Sequence, residues 1–315
     1  MSRSRFAAQA GKTAAPKERR AVVIDVRGRA RAGWLLALSL LIYAAAALLM
    51  RTCLSAGFAA LFRAWAVDAS TAALAPGWAQ LLYAWHGSLV TVLAGAAVLA
   101  LVRPLRRLWR LTGEGPGFSV RAAVGFWAIG TGFAALITAL CLLPDSMRLE
   151  WPLARPRITA ALPGMWLVTL IGVLAEEAFA RCVVYDGLKS RWGAGWATLC
   201  AGLLFFLMNS GWTGNALCAV NVLLLGLICC LVYARRGLCA STAFRWGWSF
   251  ANVFLLGFGG GNQAVYRLYG VSERWLTGGE AGYICGGWAT LLFVATLLWL
   301  AKGELQGLIG QRTKP

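Results

Sequence analysis

Glu176 and Glu177 are adjacent carboxylates in an otherwise apolar stretch, GVLAEEAFARCVVYDGLKSR at Gly172–Arg191, and Arg181 follows Glu177 by four residues. On a helix that spacing is about one turn. Two neighbouring acids can supply a general base and its supporting group, or a proton relay. Either use requires them to face a protected polar cavity, because an ionisable side chain inside an apolar span is costly anywhere else. The plainer account is an i,i+4 ion pair between Glu177 and Arg181 near a helix end. That account explains one carboxylate and leaves Glu176 unexplained, so the stretch is read as a site.

Other single residues offer less. His86 is the only histidine of the chain and lies beside Tyr83 and Trp85, where hydrogen-bonded packing is the expected role. Cys182, next to Arg181, could be a low-pKa thiol, but no histidine shares its face, and packing is favoured. Asn221 and Asn252 lie within apolar runs and are expected to bond between helices. Asp186, Lys189 and Arg191 read as a solvated helix end. The nine cysteines are scattered without a CxxC, which argues against a zinc-finger or disulfide framework.

The elements that must hold these residues are membrane helices. Hydrophobic residues make up 59% of the 315 and charged residues only 13%, a balance outside the range of soluble domains. Several runs of about 20 residues lack charge, the length a helix needs to cross a bilayer. Hydropathy places eight spans, at Trp34–Met50, Trp78–Val102, Ala122–Leu143, Leu162–Leu188, Ala194–Trp212, Asn215–Ala234, Leu238–Phe258 and Ala281–Ala301. Cys53–Val67 is amphipathic enough to be a separate interfacial helix. Four regions follow: a basic cytoplasmic segment at 1–32, the first three spans and their loops at 33–160, a core of the last five spans at 161–301, and a cytoplasmic tail at 302–315.

The formal net charge of +18 raises nucleic acid as a partner, but its distribution argues against this. Nine of the thirty basic residues precede Gly33, and most of the others fall in short gaps between apolar runs. Counted on alternate sides of the eight spans, Lys and Arg divide 22 to 7, with Arg245 inside a span. By the positive-inside rule both termini are cytoplasmic, and the basic N-terminus serves to meet anionic lipid. The Ala-, Arg- and Trp-rich composition suggests a bacterial inner membrane. Gly278, Gly282 and Gly286 have small-xxx-small spacing and predict a seam along which the last span packs closely. Gly259–Gly261 reads as a flexible loop.

At this point the chain resembles a family. EEAFAR at Glu176–Arg181 is similar to the EExxxR motif of the CPBP family, which comprises CAAX prenyl proteases and bacteriocin-processing (Abi-like) proteins. FFLMN at Phe205–Asn209 falls where that family has FxxxH, and RWGWS at Arg245–Ser249 where it has HxxxN. LTGGEAG at Leu276–Gly282 resembles the glycine-rich acidic stretch that follows in bacterial members. The resemblance runs from about Leu162 to Leu300. It implies an all-α polytopic bundle of eight transmembrane helices around a cytoplasm-facing cavity. It also implies an intramembrane metalloendopeptidase, in which a glutamate activates water while two histidines and an asparagine bind metal or stabilise an oxyanion. The substrates so implied are prenylated CAAX proteins or membrane-borne peptides. Carried over, Glu176 is the general base, supported by Glu177 and Arg181.

The remaining positions depart from the pattern. Asn209 stands at the first histidine, Arg245 at the second and Ser249 at the asparagine. Catalytic zinc takes three protein ligands, and arginine has no free lone pair to offer. No cofactor is therefore expected; zinc would be expected only of an undegenerate site. The depths of these residues still agree. Glu176 is twelve residues from Leu188, Asn209 fifteen from Ala194, and Arg245 and Ser249 seven and eleven from Leu238. All six motif residues then lie roughly 10–22 Å below one surface at 1.5 Å per residue, with Arg245 expected to pair with Glu176 or Glu177 in the space of the lost metal.

The expected function is a degenerate CPBP protein that binds a membrane peptide, lipid or partner in an intramembrane polar cavity. One alternative is an active glutamate-dependent endopeptidase with Glu176 as base and Asn209 or Arg245 holding the oxyanion. Another is a transporter with a Glu/Arg relay, which the lack of internal repeats disfavours. The expected partners are membrane lipid and a membrane-embedded or prenylated peptide, not nucleic acid.

Overall fold

A computed structural model describes residues 32–68, 70–71, 76–109, 111, 119–143, 147–150, 156–209, 216–256, 266–270, 274–278 and 282–312. The proposed N-terminal segment lies outside these residues except for Ala32, as does the glycine run Gly259–Gly261.

Backbone N–H and C=O groups have no water to bond inside a bilayer, so apolar chain that crosses it must be helical. Over its described residues each of the eight hydropathy segments is accordingly mostly helix. The helices are α1 (Ala32–Ala64), α2 (Gly77–Leu108), α3 (Val120–Leu142), α4 (Pro156–Glu177), α5 (Asp186–Trp192), α6 (Ala194–Met208), α7 (Ala216–Phe250), the short α8 (Arg274–Thr277) and α9 (Gly287–Arg312). Among the described residues α1, α3 and α7 are long and apolar enough to cross a membrane by themselves, and α6 and the first part of α9 are shorter apolar helices. The chain is an all-α membrane protein.

α7 is the centre of the bundle. Of its most apolar window 61% is buried, against 11% for α1, which stands at the periphery. One continuous helix by hydrogen bonding, α7 is two by direction. Gly237 has φ 80° and ψ −177°, a conformation that glycine adopts without steric cost, and it separates the sixth and seventh spans without a loop. α3 crosses the second half of α7 with no side chain between them. A Cβ on Gly130 would lie 1.9 Å from the Phe244 carbonyl oxygen, and one on Gly247 would lie 2.1 Å from that of Trp127. These two glycines form the close helix–helix seam of this fold.

The expected seam at Gly278, Gly282 and Gly286 is not one. α9 begins only at Gly287, and Gly278 and Gly282 have φ of 80° and 99°, so the three lie in a folded turn before the helix. Close approach there is backbone to backbone within the turn: a Cβ on Gly278 would sit 2.0 Å from the Gly282 oxygen. Asn221 of α7 holds this turn by donating from Nδ2 to the carbonyls of Ile284 at 2.6 Å and Gly286 at 3.1 Å.

One further expectation needs correction, and two features lie beyond what was expected. Cys53–Val67 is no separate interfacial helix, because α1 runs unbroken to Ala64 before turning at Ala66, where φ is 52°. The tail at 302–315 begins as helix, since α9 continues to Arg312. A small antiparallel sheet also joins two loops, β1 (Met147–Glu150) to β2 (Arg267–Gly270), with Arg148 opposite Tyr269. Four-residue strands with mixed composition carry no alternation long enough to read from sequence.

Candidate functional site

The EExxxR motif sits where the helix changes its pitch. α4 ends at Glu177, and residues Ala178–Tyr185 form a π-helical segment before α5 resumes at Asp186. All eight residues of the π segment are buried. Wider helical turns of this kind concentrate at functional sites, because they re-aim side chains that α geometry would leave in register. Here they turn Arg181 inward. α1 docks on the same segment, with the Tyr43 ring stacked on Phe179 at 4.2 Å.

Glu177 and Arg181 are fully buried and joined by two parallel bonds, Arg181 Nε to Glu177 Oε2 at 3.1 Å and Nη2 to Oε1 at 3.3 Å. The remaining donors of Arg181 are also used. Nη1 reaches Cys230 Sγ at 2.7 Å and the Ala201 carbonyl at 3.4 Å, and Nη2 reaches the Gly226 carbonyl at 3.3 Å. A buried ion pair persists only when such hydrogen bonds complete it. The i,i+4 pair is therefore a structural clamp tying the π segment to α6 and α7. Arg181, counted among the loop cations that set topology, belongs to the interior instead.

Glu176 differs. Its side chain keeps 34% of its exposure and faces a cavity of about 360 Å³ between α1, α2 and α4. Tyr43 and Arg51 of α1, Gly95 of α2, Gly172 of α4 and Met208 of α6 line that cavity with it. From α7, Arg245 donates through Nη2 to Glu176 Oε2 and, at 2.7 Å, to Asn209 Oδ1. Its Nη1 stands 3.5 Å from Glu177 Oε1, and its guanidinium carbon lies 4.5 Å from the centre of the Phe205 ring. One arginine thus touches both acids and the asparagine. The row Glu176, Arg245, Glu177, Arg181 alternates in sign, as charges withdrawn from water must.

Five of the six motif residues are brought together. Ser249, one turn beyond Arg245 and half-buried, makes no hydrogen bond to the other five. His86 is elsewhere, against the rings of Phe62 at 5.3 Å and Phe58 at 6.1 Å. Cys182 is buried under the Tyr233 hydroxyl at 3.7 Å. Asp186 is not simply solvated: it accepts from Tyr233 Oη at 2.8 Å and pairs with Arg106 at 3.7 Å.

Sequence reasoning missed the far wall of the cavity. Arg51 follows an apolar run and reads as the first loop residue, yet it lies within α1 and faces the same space as Glu176. A cation in mid-helix was the available signal. Tyr43 carried none, because aromatic residues are common throughout this chain.

An apolar, mainly helical bundle with a buried charge cluster where α4, α6 and α7 meet defines a polytopic membrane protein with a buried polar site. Residues 158–251 match the family model described as type II CAAX prenyl endopeptidase Rce1-like. The match spans all three motifs, though under a third of the chain, and ends before the glycine-rich stretch at Leu276–Gly282. The chain is an integral membrane protein by its apolar helices, and over residues 158–251 it is similar to the CAAX-protease-like family. No curated protein and no solved structure matches it.

Proposed function

We propose that this protein is a degenerate CAAX-protease-like receptor: it holds a membrane-borne peptide, lipid or partner in the cavity beside Glu176 and does not cut it. The observation that carries this reading is the pair of hydrogen bonds that Arg245 Nη2 donates, one to Glu176 and one to Asn209. The contact with Glu176 ties its Oε2 to a cation instead of leaving it free to meet a water. The residues also do not fit a catalytic zinc. Glu176 Oε2 and Asn209 Oδ1 both accept from the same nitrogen, and the group between them is a fixed cation that would repel a second one. In this reading Glu177 and Arg181 position the site, Arg245 closes it, Ser249 is without a role, and Glu176 with Arg51 presents charge to the occupant. Both termini face the cytoplasm of a bacterial inner membrane.

The test uses purified full-length protein and a prenylated CAAX peptide carrying a photocrosslinker. The expected result is no cleavage by wild type or Glu176→Gln, and crosslinks to α1 and α4 that Ala47→Trp, at the cavity wall, abolishes. Cleavage that disappears in Glu176→Gln would overturn the proposal in favour of a glutamate-dependent endopeptidase. Stoichiometric zinc in the purified protein would overturn it as well.

A further inference from the structure

A second, larger cavity of about 600 Å³ lies on a different face of α7, bounded by α3 and α9. Phe244 lines it, whereas the next residue, Arg245, belongs to the charge cluster, so the two spaces share a helix but no wall. Its sides run parallel: Phe126 to Phe133 on α3, Ile228 to Arg235 on α7, and Leu292 to Trp299 on α9. Each stretch is eight residues, seven steps or about 10 Å along a helix axis, so the groove follows the direction an acyl chain takes in a bilayer. Apart from Thr296, the walls between these ends are apolar.

One end is different in kind. Arg235 and Arg236 line it and both are exposed; the Arg235 guanidinium donates to the Leu300 carbonyl, which fixes it at the mouth against α9. Lys302 is exposed two residues further along α9, and Arg121 is exposed in the first turn of α3, so cationic residues reach this end from three helices. Among the described residues no carboxylate lines the cavity. Trp299 is 73% exposed at the same level, as an indole at a membrane interface is. An apolar slot under a cationic mouth is complementary to one class of molecule. A neutral lipid leaves the arginines unmatched, and a protein partner needs a far broader contact than this slot offers.

We propose that the groove between α3, α7 and α9 is a binding site for an anionic phospholipid, with one acyl chain along the apolar walls and the phosphate on Arg235 and Arg236. Basic residues at the membrane surface attract anionic lipid by an amount equivalent to roughly fivefold in affinity each. This inference does not depend on the function proposed for the Glu176 cavity.

Native mass spectrometry of the full-length protein in mild detergent tests it, with phosphatidylglycerol, phosphatidylcholine and inorganic phosphate added in separate arms. Wild type is expected to retain phosphatidylglycerol at least about tenfold better than phosphatidylcholine and to retain no phosphate. Arg236→Gln, at a site that holds nothing else in place, should reduce that preference by roughly fivefold with unchanged melting, and Arg235→Gln/Arg236→Gln should erase it. Ala295→Trp, which fills the slot, should lower retention of both lipids. Equal retention of the two lipids by wild type, retention of phosphate alone, an unaltered preference in the double variant, or a stable dimer that excludes lipid would each overturn the proposal.

Discussion

Arg245 answers to two acids and an amide at once, so the residues around it differ in what their loss leaves behind. Arg245→Ala strands Glu177 without one of its cations in a fully buried site. Breaking a buried pair from one side costs roughly 3–5 kcal/mol, and detergent melting should fall accordingly. Arg181→Met should cost at least as much, since it takes both bonds of the bidentate pair from the fully buried Glu177. Glu176→Gln should be milder, because this side chain is a third exposed to its cavity and an amide can still accept from Arg245. An order of melting in which Glu176→Gln is the most damaging would refute the division into clamp and cavity wall. Arg245→His should bind no zinc by equilibrium dialysis, as Asn209 and Ser249 remain in place of two further ligands.

At the scale of elements, the fold depends on two glycines that let α3 and α7 touch. Gly247→Val drives a side chain into the Trp127 carbonyl, and Gly130→Val does the same to that of Phe244. The neighbour in each case is rigid backbone, so the helices must separate. Overpacking of this kind costs typically 1–3 kcal/mol, and a displaced α7 would misplace Arg245. The measurement is melting of each variant beside Gly132→Val, whose position faces open space and should be neutral. A smaller element outside the spans offers a pH test. Asp68 accepts from the Ser70 hydroxyl at 2.6 Å and from the backbone N–H of Thr71 and Ser70, both at 2.8 Å, and these bonds lower its pKa from 3.8 to about 2. The turn is therefore held above pH 3.8 and released as pH falls through about 2. Hydrogen exchange at Ser70 and Thr71 should rise over that window in wild type, and Asp68→Ala should show no such step.

At the scale of the whole molecule, the alternation of basic gaps and apolar runs makes orientation a prediction. With Arg181 assigned to the interior and Arg51 to the cavity, the division of loop cations is 21 to 6, that is, 22 less one against 7 less one, and it still predicts both termini in the cytoplasm. Reporters fused before Met1 and after Pro315 should both read as cytoplasmic; a split result would require an odd number of crossings and would break the assignment of α7 as two spans.

The helices and their order were legible because membrane solvent imposes one rule, intrahelical bonding, over runs long enough for hydropathy to detect. The charge cluster was legible for a related reason: a carboxylate in an apolar run must find a partner, and few were available. Hydropathy could not distinguish the two glutamates, which are neighbours of equal composition. Only the π segment and the packing of α6 and α7 decided that Glu177 is sealed with Arg181 while Glu176 meets the cavity. Tertiary structure likewise placed Arg51 across from Glu176, made Gly130 and Gly247 the contact seam, and moved the spaced glycines before α9 into a turn. Spacing along a chain constrains which side chains share a helix face. Which face meets which neighbour is settled by close packing among helices, and no single helix encodes it.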